Sequence, residues 1–297
     1  MKKAFTVGAI VVFLFCFTAR AFPWGSAVHA YIVDKLKVDM GQAKLNAIYG
    51  GMAPDIFNYV FDPNVQLLAQ AMHVNFLPLW LAADTQAKRQ LAYGFVSHND
   101  IWGIDFTAHS AGTRFYKTDG YIIGKAKILA EILKSRLRNQ GLELPKDVLI
   151  NVCHNLVENA IDVLMKRVDP MIGQKIFQAS SMRDDAFPDL LAGAFGIDPG
   201  FASLAEGQFR TMMVGYGWML TQDEAYAIEA ISALMAGFAA DYLAANGVSL
   251  PPGTDLLPII RFAHVKSMEL CQGTFAKEIE STIQYVKGGL AYNGIDY

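Results

Sequence analysis

The stretch PKDVLINVCHNLVENAIDVLMKRV, residues 145–168, decides the fold class of this protein. Pro145 suits the first turn of a helix, where a backbone N–H has no intrahelical partner to lose. His154 and Glu158 lie four residues apart and therefore meet on one face of that helix. Apolar residues flank this polar face and also fill the opposite one, so we expect the helix to be enclosed by others. The opposite face is formed by Val148, Val152, Leu156, Ala160 and Val163.

Most of the remaining chain has the same helical periodicity, and strand-length alternation between turn signals does not stand out in the sequence. We therefore predict an all-α, multi-helix bundle. Residues 171–297 are predicted to form a largely helical C-terminal region that packs on the same core as residues 22–170. The predicted helices cover about residues 26–38, 64–74, 76–93, 121–139, 145–168, 170–180, 184–196, 200–220, 222–245, 254–272 and 274–289.

The N-terminal residues have the order of a secretory signal peptide. Two lysines precede an apolar run over residues 4–18, and small residues surround Arg20. This order predicts a signal peptide over residues 1–21 and an exported protein, either periplasmic or secreted. No later apolar run without charges reaches the length of a membrane span, so no stable span is expected after the signal is removed.

The charge of the chain argues against one class of partner. The whole chain carries a net charge of −3, and without the three basic residues of the predicted signal it has 22 basic and 28 acidic residues. Proteins that bind nucleic acid normally present a basic surface. We therefore expect no nucleic-acid partner.

A second stretch, GFVSHNDIWGIDFTAHSAG at residues 94–112, combines histidines with aspartates. If it forms a continuous helix, Asp105 and His109 each fall within about 20° of the His98 face. Asp100 then points to the other side. Apolar neighbours occupy nearly every other face, so this polar stripe is expected to be buried, where its side chains need partners such as a metal. Asp105 is therefore the favoured shared ligand, with Asp100 as the alternative.

Two further motifs add side chains that ligate metals. In GGMAPDIFNYV, residues 50–60, Asp55 follows a glycine pair and a proline, which predicts a chain bend that holds the carboxylate rigidly. In AMHVNF, residues 71–76, His73 stands among apolar residues, whereas His264 lies outside these motifs and is expected to be an ordinary histidine. The set is larger than one tetrahedral zinc needs and favours a multinuclear cluster with bridging carboxylates. The candidate ligands are His29, His73, His98, His109, His154, Asp55, Asp105 and Glu158.

The order of these motifs resembles that of the zinc-dependent phospholipase C family of exported bacterial proteins, whose fold is shared with the single-strand-specific zinc nucleases. The resemblance covers about residues 24–162. It implies a phospholipase C-like catalytic region over residues 22–170 with the same type of helical bundle. The matching segments are WGSAVHAYIV at 24–33, GGMAPDI at 50–56, His73, GFVSHNDIWGIDFTAH at 94–109 and HNLVE at 154–158.

The resemblance also implies two to three zinc ions and their ligands. Four side chains would hold the first ion: Asp55, His73, His98 and Asp105. Three would hold the second: His109, His154 and Glu158. The third would take His29, the shared Asp105 and the backbone amino and carbonyl groups of an N-terminal Trp24. Asp55 is further implied to be catalytic, as the general base.

Two departures from the family pattern bear on these assignments. The family has an aspartate four residues after the histidine that corresponds to His98, whereas this chain has Trp102 at that position. Phe22 and Pro23 precede Trp24 after the predicted cleavage. Trp24 therefore has a free amine only after further trimming.

The resemblance implies a phosphodiesterase that hydrolyses phospholipids at the glycerol–phosphate bond, with the substrate at a membrane or micelle surface. One alternative is a single-strand-specific zinc nuclease of the same fold. Another is a non-catalytic exported helical protein that binds metal or lipid. The apolar segments after residue 170 are expected to be core, with a cover over the site or a lipid-docking surface as alternatives.

Overall fold

In the computed structural model, residues 25–37, 39–59 and 65–297 are described. Within these ranges the chain forms fourteen α-helices, one 3₁₀ helix and no strand, which confirms the predicted all-α bundle. The predicted signal peptide, residues 1–21, and Trp24 lie outside the described residues. The 3₁₀ helix spans Ala53–Tyr59. The α-helices are α1 Ser26–Leu36, α2 Gly41–Met52, α3 Val65–Val74, α4 Leu77–Ala82, α5 Gln86–His98, α6 Ile104–His109, α7 Tyr121–Arg138, α8 Lys146–Val168, α9 Ile172–Met182, α10 Phe187–Phe195, α11 Pro199–Thr221, α12 Glu224–Ala245, α13 Leu257–Cys271 and α14 Phe275–Tyr292.

Helix α8 lies at the centre of the bundle. It packs against α1, α7, α12 and α13. Every side chain from Cys153 to Met165 is buried, on all faces of the helix. The enclosure predicted from its sequence is therefore confirmed, and its polar side chains His154 and Glu158 are buried along with the apolar ones.

Helices α2 and α5 approach each other closely through glycines. A Cβ added to Gly50 would lie 2.0 Å from the carbonyl oxygen of Leu91, and one added to Gly94 would lie 2.0 Å from that of Ala47. Only glycine fits at such a contact. The glycine pair lies inside α2, which ends at Met52, and Asp55 follows in the 3₁₀ helix.

The segment predicted as one helix over 76–93 is divided into α4 and α5. Helix α4 ends at Ala82, and α5 begins at Gln86 with Thr85 as its N-cap. The hydroxyl of Thr85 accepts a hydrogen bond from the backbone N–H of Lys88, at 3.3 Å. A threonine cap of this kind satisfies an otherwise unpaired helical N–H and marks a new helix start.

The continuous helix assumed over 98–109 is also wrong. Helix α5 ends at His98, and α6 begins at Ile104. In the turn between them, the side-chain oxygen of Asn99 accepts hydrogen bonds from the backbone N–H groups of Ile101 and Trp102, each at 2.8 Å. A Cβ on Gly103 would lie 2.5 Å from the backbone oxygen of Asn99, so this compact turn requires glycine.

The helices after residue 170 pack directly on those before it. Helix α9 contacts α2, α13 contacts α7 and α8, and α14 contacts α1 and α6. Their apolar faces supply fully or nearly fully buried side chains, such as Phe209, Ile231 and Ile260. The apolar C-terminal segments therefore contribute to the core, as the sequence predicts.

Among the described residues, two helices are long and apolar enough to cross a membrane by length and composition alone. In α8, 89% of the most apolar 18-residue window is buried inside the protein, and in α12 the share is 39%. Core helices meet the same criterion, and α12 packs against α8, α11 and α13. Length and composition are thus weak support for a span in either helix.

Candidate metal centre

One fully buried group of polar side chains joins α1, α5 and α6. His29, His98 and Asp105 are fully buried. The Nε2 atom of His29 lies 3.0 Å from Oδ1 of Asp105, and Nε2 of His98 lies 2.8 Å from Oδ2. The two imidazole rings are stacked, with centroids 3.9 Å apart. Each oxygen of Asp105 therefore faces a different imidazole, as in a carboxylate that bridges two sites.

A second group shares His98 with the first and adds Asp55 and His73. The Nε2 atom of His73 lies 3.2 Å from Nε2 of His98 and 3.4 Å from Oδ1 of Asp55. Oδ2 of Asp105 is 3.6 Å away from the same nitrogen. These three side chains thus direct one ligand atom each at a common point, and all ligand atoms of the group lie within 4.8 Å of one another.

A third group is formed where α6 meets α8. Nε2 of His154 lies 2.5 Å from Oε1 of Glu158 and 3.0 Å from Nε2 of His109. Nε2 of His109 is 3.6 Å from the same Glu158 oxygen. His154 and Glu158 in α8 and His109 at the end of α6 therefore direct their ligand atoms at one point.

The outer nitrogens of two histidines are held by backbone carbonyls. Nδ1 of His98 lies 2.8 Å from the oxygen of Gly51, and Nδ1 of His73 lies 2.8 Å from that of Ala69. A neutral imidazole that donates from Nδ1 to a carbonyl presents the lone pair of Nε2 inward. Asn58 donates a hydrogen bond to Oδ1 of Asp55, at 2.8 Å, and orients that carboxylate. The surroundings of the cluster therefore orient its side chains as metal sites require.

Several ligand atoms of the cluster are buried without a hydrogen-bond partner: His29 Nδ1 and Nε2, both oxygens of Asp105 and both oxygens of Glu158. His29 and Asp105 are close, but their atoms do not have hydrogen-bond geometry. Each unsatisfied buried polar atom costs about 1–3 kcal/mol. A cation among these atoms removes that cost, and imidazole nitrogens with carboxylate oxygens are the donors that zinc and similar ions take. The residues therefore fit a bound metal.

Burial shifts the charge states of the cluster. It raises the pKa of the Glu158 carboxyl well above its usual range, and the Asp105 carboxyl adds to the shift. Burial and then Asp100 raise the pKa of Asp105 in the same way. Burial and neighbouring imidazoles lower the pKa values of His29 and His154 well below the usual range. The protein alone thus favours the neutral forms of these four side chains, whereas a divalent cation favours ionised carboxylates.

The structure brings together every predicted ligand that it describes: His29, His73, His98, His109, His154, Asp55, Asp105 and Glu158. Trp24 lies outside the described residues. His264 belongs to none of the groups found among the described residues, and its Nδ1 lies 3.0 Å from the hydroxyl oxygen of Ser232. The predicted ligands thus lie close together. The continuous helix that favoured Asp105 over Asp100 is nevertheless broken at residues 99–103.

Asp100 has a place that the helical prediction missed. It was expected on the far side from His109, but its Oδ1 lies 3.4 Å from Nδ1 of His109. The reason is that the residues between α5 and α6 form a turn, so helical phase does not apply at position 100. One ligand atom from each of Asp100, Asp105 and His109 also lies within 4.8 Å of the others.

Asp162 is a second residue whose role the sequence analysis missed. Its carboxylate accepts hydrogen bonds from the backbone N–H groups of Ala27 and Val28, each at 3.1 Å, and from the hydroxyl of Tyr216, at 2.8 Å. It therefore holds the start of α1, which carries His29. Its four-residue spacing from Glu158 could have marked it as part of the same polar helix face, but its partners are more than fifty residues away.

Comparisons with protein-family models, with curated proteins and with solved structures found no match. The resemblance to zinc-dependent phospholipases C therefore stays a prediction from the order of the motifs. The buried histidines and carboxylates in groups that could hold metal ions are a property of the fold itself.

Proposed function

We propose that this protein is a zinc-dependent phosphodiesterase that hydrolyses phospholipids at the glycerol–phosphate bond. The observation that supports it most is the sharing of ligands between neighbouring groups. Asp105 directs one oxygen to Nε2 of His29 and the other to Nε2 of His98, so its carboxylate can be shared by two ions. Shared ligands hold metal ions a few ångströms apart, and paired ions of this kind serve in-line displacement at phosphate esters.

Zinc is the metal that the donor set favours. Five imidazoles dominate the cluster, and imidazole nitrogens suit zinc, whereas magnesium and calcium prefer oxygen ligands. Asp55, His73 and His98 would hold one ion together with one oxygen of Asp105, and His109, His154 and Glu158 would hold a second. His29 and the other oxygen of Asp105 would offer two ligands to a third ion. This arrangement supports two to three ions.

The substrate would reach the cluster from the side of His109. The side chains of His29, His98 and Asp105 are fully buried, whereas that of His109 is 21% exposed and that of Asp100 is 34% exposed. When bound, zinc polarises phosphoryl oxygens, stabilises the charge of the transition state and lowers the pKa of a water molecule.

Asp55 is proposed as the general base. Its carboxylate is fixed by the amide of Asn58 and lies beside His73 at the edge of the second group. A carboxylate oriented in this way can take a proton from the attacking water, provided that the water lies within hydrogen-bond distance.

A non-catalytic role for the metal is the second candidate. The complete burial of His29, His98 and Asp105 favours it, because structural metal sites have no open position. The partial exposure of His109 favours catalysis instead. The two proposals differ in whether a bound ion remains accessible to substrate.

The test combines a metal count with two activity assays. Protein purified with zinc present should bind two to three zinc equivalents and hydrolyse phosphatidylcholine, and a chelator should abolish both. Asp105→Asn should lower the zinc content by at least one equivalent and reduce the rate by about 100-fold or more, since it removes a charged ligand. The matched control is Asp119→Asn, because Asp119 is an exposed aspartate paired with Lys127.

Three outcomes would contradict the proposal. Fewer than two zinc equivalents after zinc-replete folding rules out the multinuclear cluster. Cleavage of single-stranded RNA without cleavage of phospholipid assigns the nuclease function. Full zinc content with no activity on either substrate assigns the non-catalytic role.

A further inference from the structure

His109 directs its two ring nitrogens at different partners. Its Nε2 faces the third group, 3.0 Å from Nε2 of His154 and 3.6 Å from Oε1 of Glu158. Its Nδ1 faces away from that group, 3.4 Å from Oδ1 of Asp100. The imidazole therefore lies between a carboxylate on one side and the candidate metal position on the other.

The position of Asp100 is fixed by the backbone around it. Its N–H donates a hydrogen bond to the carbonyl oxygen of His73, at 3.0 Å. The next N–H, that of Ile101, is held by the side chain of Asn99. The backbone of Asp100 is thus anchored to the segment that carries His73, while the side chain of Asp100 remains one-third exposed.

We propose that Asp100 is a positioning residue for the metal site, a role that rests on the proposed zinc-dependent function. Its carboxylate accepts a hydrogen bond from Nδ1–H of His109. This contact fixes the neutral tautomer with its Nε2 lone pair directed at the ion that His109, His154 and Glu158 hold. Carboxylates that orient a metal-bound histidine in this way strengthen the site by about 10–100-fold in metal affinity.

The geometry favours this role over direct ligation by Asp100. The nearest carboxylate oxygen lies beside Nδ1, the nitrogen that does not face His154 and Glu158. Asp100 is also more exposed than any side chain of the three ligand groups. An orienting contact requires a hydrogen-bond acceptor at this position, whereas direct ligation requires the negative charge and oxygen of a carboxylate.

The experiment compares Asp100→Ala and Asp100→Asn with the wild type in the full protein. Zinc affinity is measured by competition with a chromophoric chelator, and the site is also filled with cobalt so that its visible absorption spectrum reports ligand geometry. Asp100→Ala should weaken one zinc position about 10–100-fold and alter the cobalt bands. Asp100→Asn keeps an acceptor oxygen and should restore most of the affinity and the spectrum. Asp119→Ala and Asp119→Asn, at an exposed aspartate paired with Lys127, should match the wild type.

Two results would overturn the role of Asp100. If both variants bind zinc and cobalt as the wild type does, the contact with His109 positions nothing. If Asp100→Asn loses an ion as completely as Asp100→Ala does, Asp100 is a ligand and not a positioning residue. A wild type that binds zinc but cleaves no phospholipid contradicts the proposed function alone, since the affinities still decide the role of Asp100. A wild type that binds no metal contradicts both.

Discussion

At the scale of single residues, burial decides which side chains carry charge. Burial raises the pKa of Glu158 and lowers that of His154, although the two lie in contact on one helix face. A carboxylate and an imidazole in water can form an ion pair, but here burial removes the hydration that stabilises the charged form of each group. The cluster is thus costly without a cation, and that cost is the physical reason to expect one.

His264 provides a prediction on pH that is independent of the metal. Burial lowers its pKa to about 4. The folded protein therefore keeps His264 neutral while the unfolded chain takes up a proton below about pH 6.5, so this histidine lowers stability as the pH falls from 6.5 toward 4. Urea unfolding at pH 7 and pH 5 should show that His264→Gln loses less stability than the wild type does, by on the order of 2 kcal/mol. Equal losses in the two proteins would contradict the lowered pKa.

The chemistry of the residues made the members of the candidate site predictable, but the contacts between them were not predictable. Imidazoles and carboxylates among apolar neighbours mark ligands because such groups need partners when they are buried. The contact between Asp100 and His109 depends on the turn at residues 99–103, where Asn99 replaces helical hydrogen bonds with its side chain. Helical phase alone puts Asp100 on the wrong side.

At the scale of helices, α8 both supplies ligands and anchors α1. Glu158 lies one turn before Asp162, whose carboxylate holds the N–H groups of Ala27 and Val28. A carboxylate is favourable there because the N-terminus of a helix carries partial positive charge and unpaired N–H groups. His29 therefore lies within one turn of an anchor that belongs to the same helix as Glu158.

Gly25→Ala tests this anchor. A Cβ at position 25 would lie 2.4 Å from Oδ2 of Asp162, so the start of α1 and the carboxylate would have to separate. We expect a loss of about 1–3 kcal/mol in the free energy of unfolding, as for other overpacked sites. Zinc binding should weaken as well, because α1 carries His29. Urea unfolding and zinc competition measure the two effects.

The matched control is Gly237→Ala in α12, where an added Cβ meets nothing within 4 Å. It should leave zinc affinity unchanged and raise stability by about 0.5–1 kcal/mol, since alanine favours a helix interior over glycine. If Gly25→Ala behaves in the same way as Gly237→Ala, the close contact with Asp162 does not fix α1.

Helix boundaries were predictable where periodicity is long and unbroken, as in α7, α8 and α12. They were not predictable where glycine serves packing. Gly50 lies within α2 at a point where α5 approaches too closely for any side chain, and Gly51 lies against the side chain of Val33 in α1. The sequence alone does not distinguish a glycine that is needed in a turn from one that is needed where two helices pack closely.

At the scale of the whole molecule, the C-terminal helices support the segment that follows the metal cluster. Glu278 in α14 is fully buried and accepts hydrogen bonds from the hydroxyl of Thr113, at 2.7 Å, and from the N–H groups of Arg114 and Phe115, at 3.0 and 2.8 Å. This segment begins four residues after His109. Residues about 165 positions apart thus meet, which no local pattern could predict.

The cluster also joins elements that are far apart in the chain. Its ligands come from α1, the 3₁₀ helix, α3, α5, α6 and α8. An ion held by several of them binds the folded state and not the unfolded one, so it adds its binding free energy to stability. The central claim is therefore that zinc lies among these helices.

Anomalous X-ray scattering from crystals grown with zinc tests that claim most directly. Diffraction above and below the zinc absorption edge locates each ion. We expect two or three zinc peaks inside the cluster, one of them within about 2.0–2.2 Å of an oxygen of Asp105 and of an imidazole nitrogen of His98. Zinc peaks confined to the protein surface, with none among the buried histidines, would contradict it.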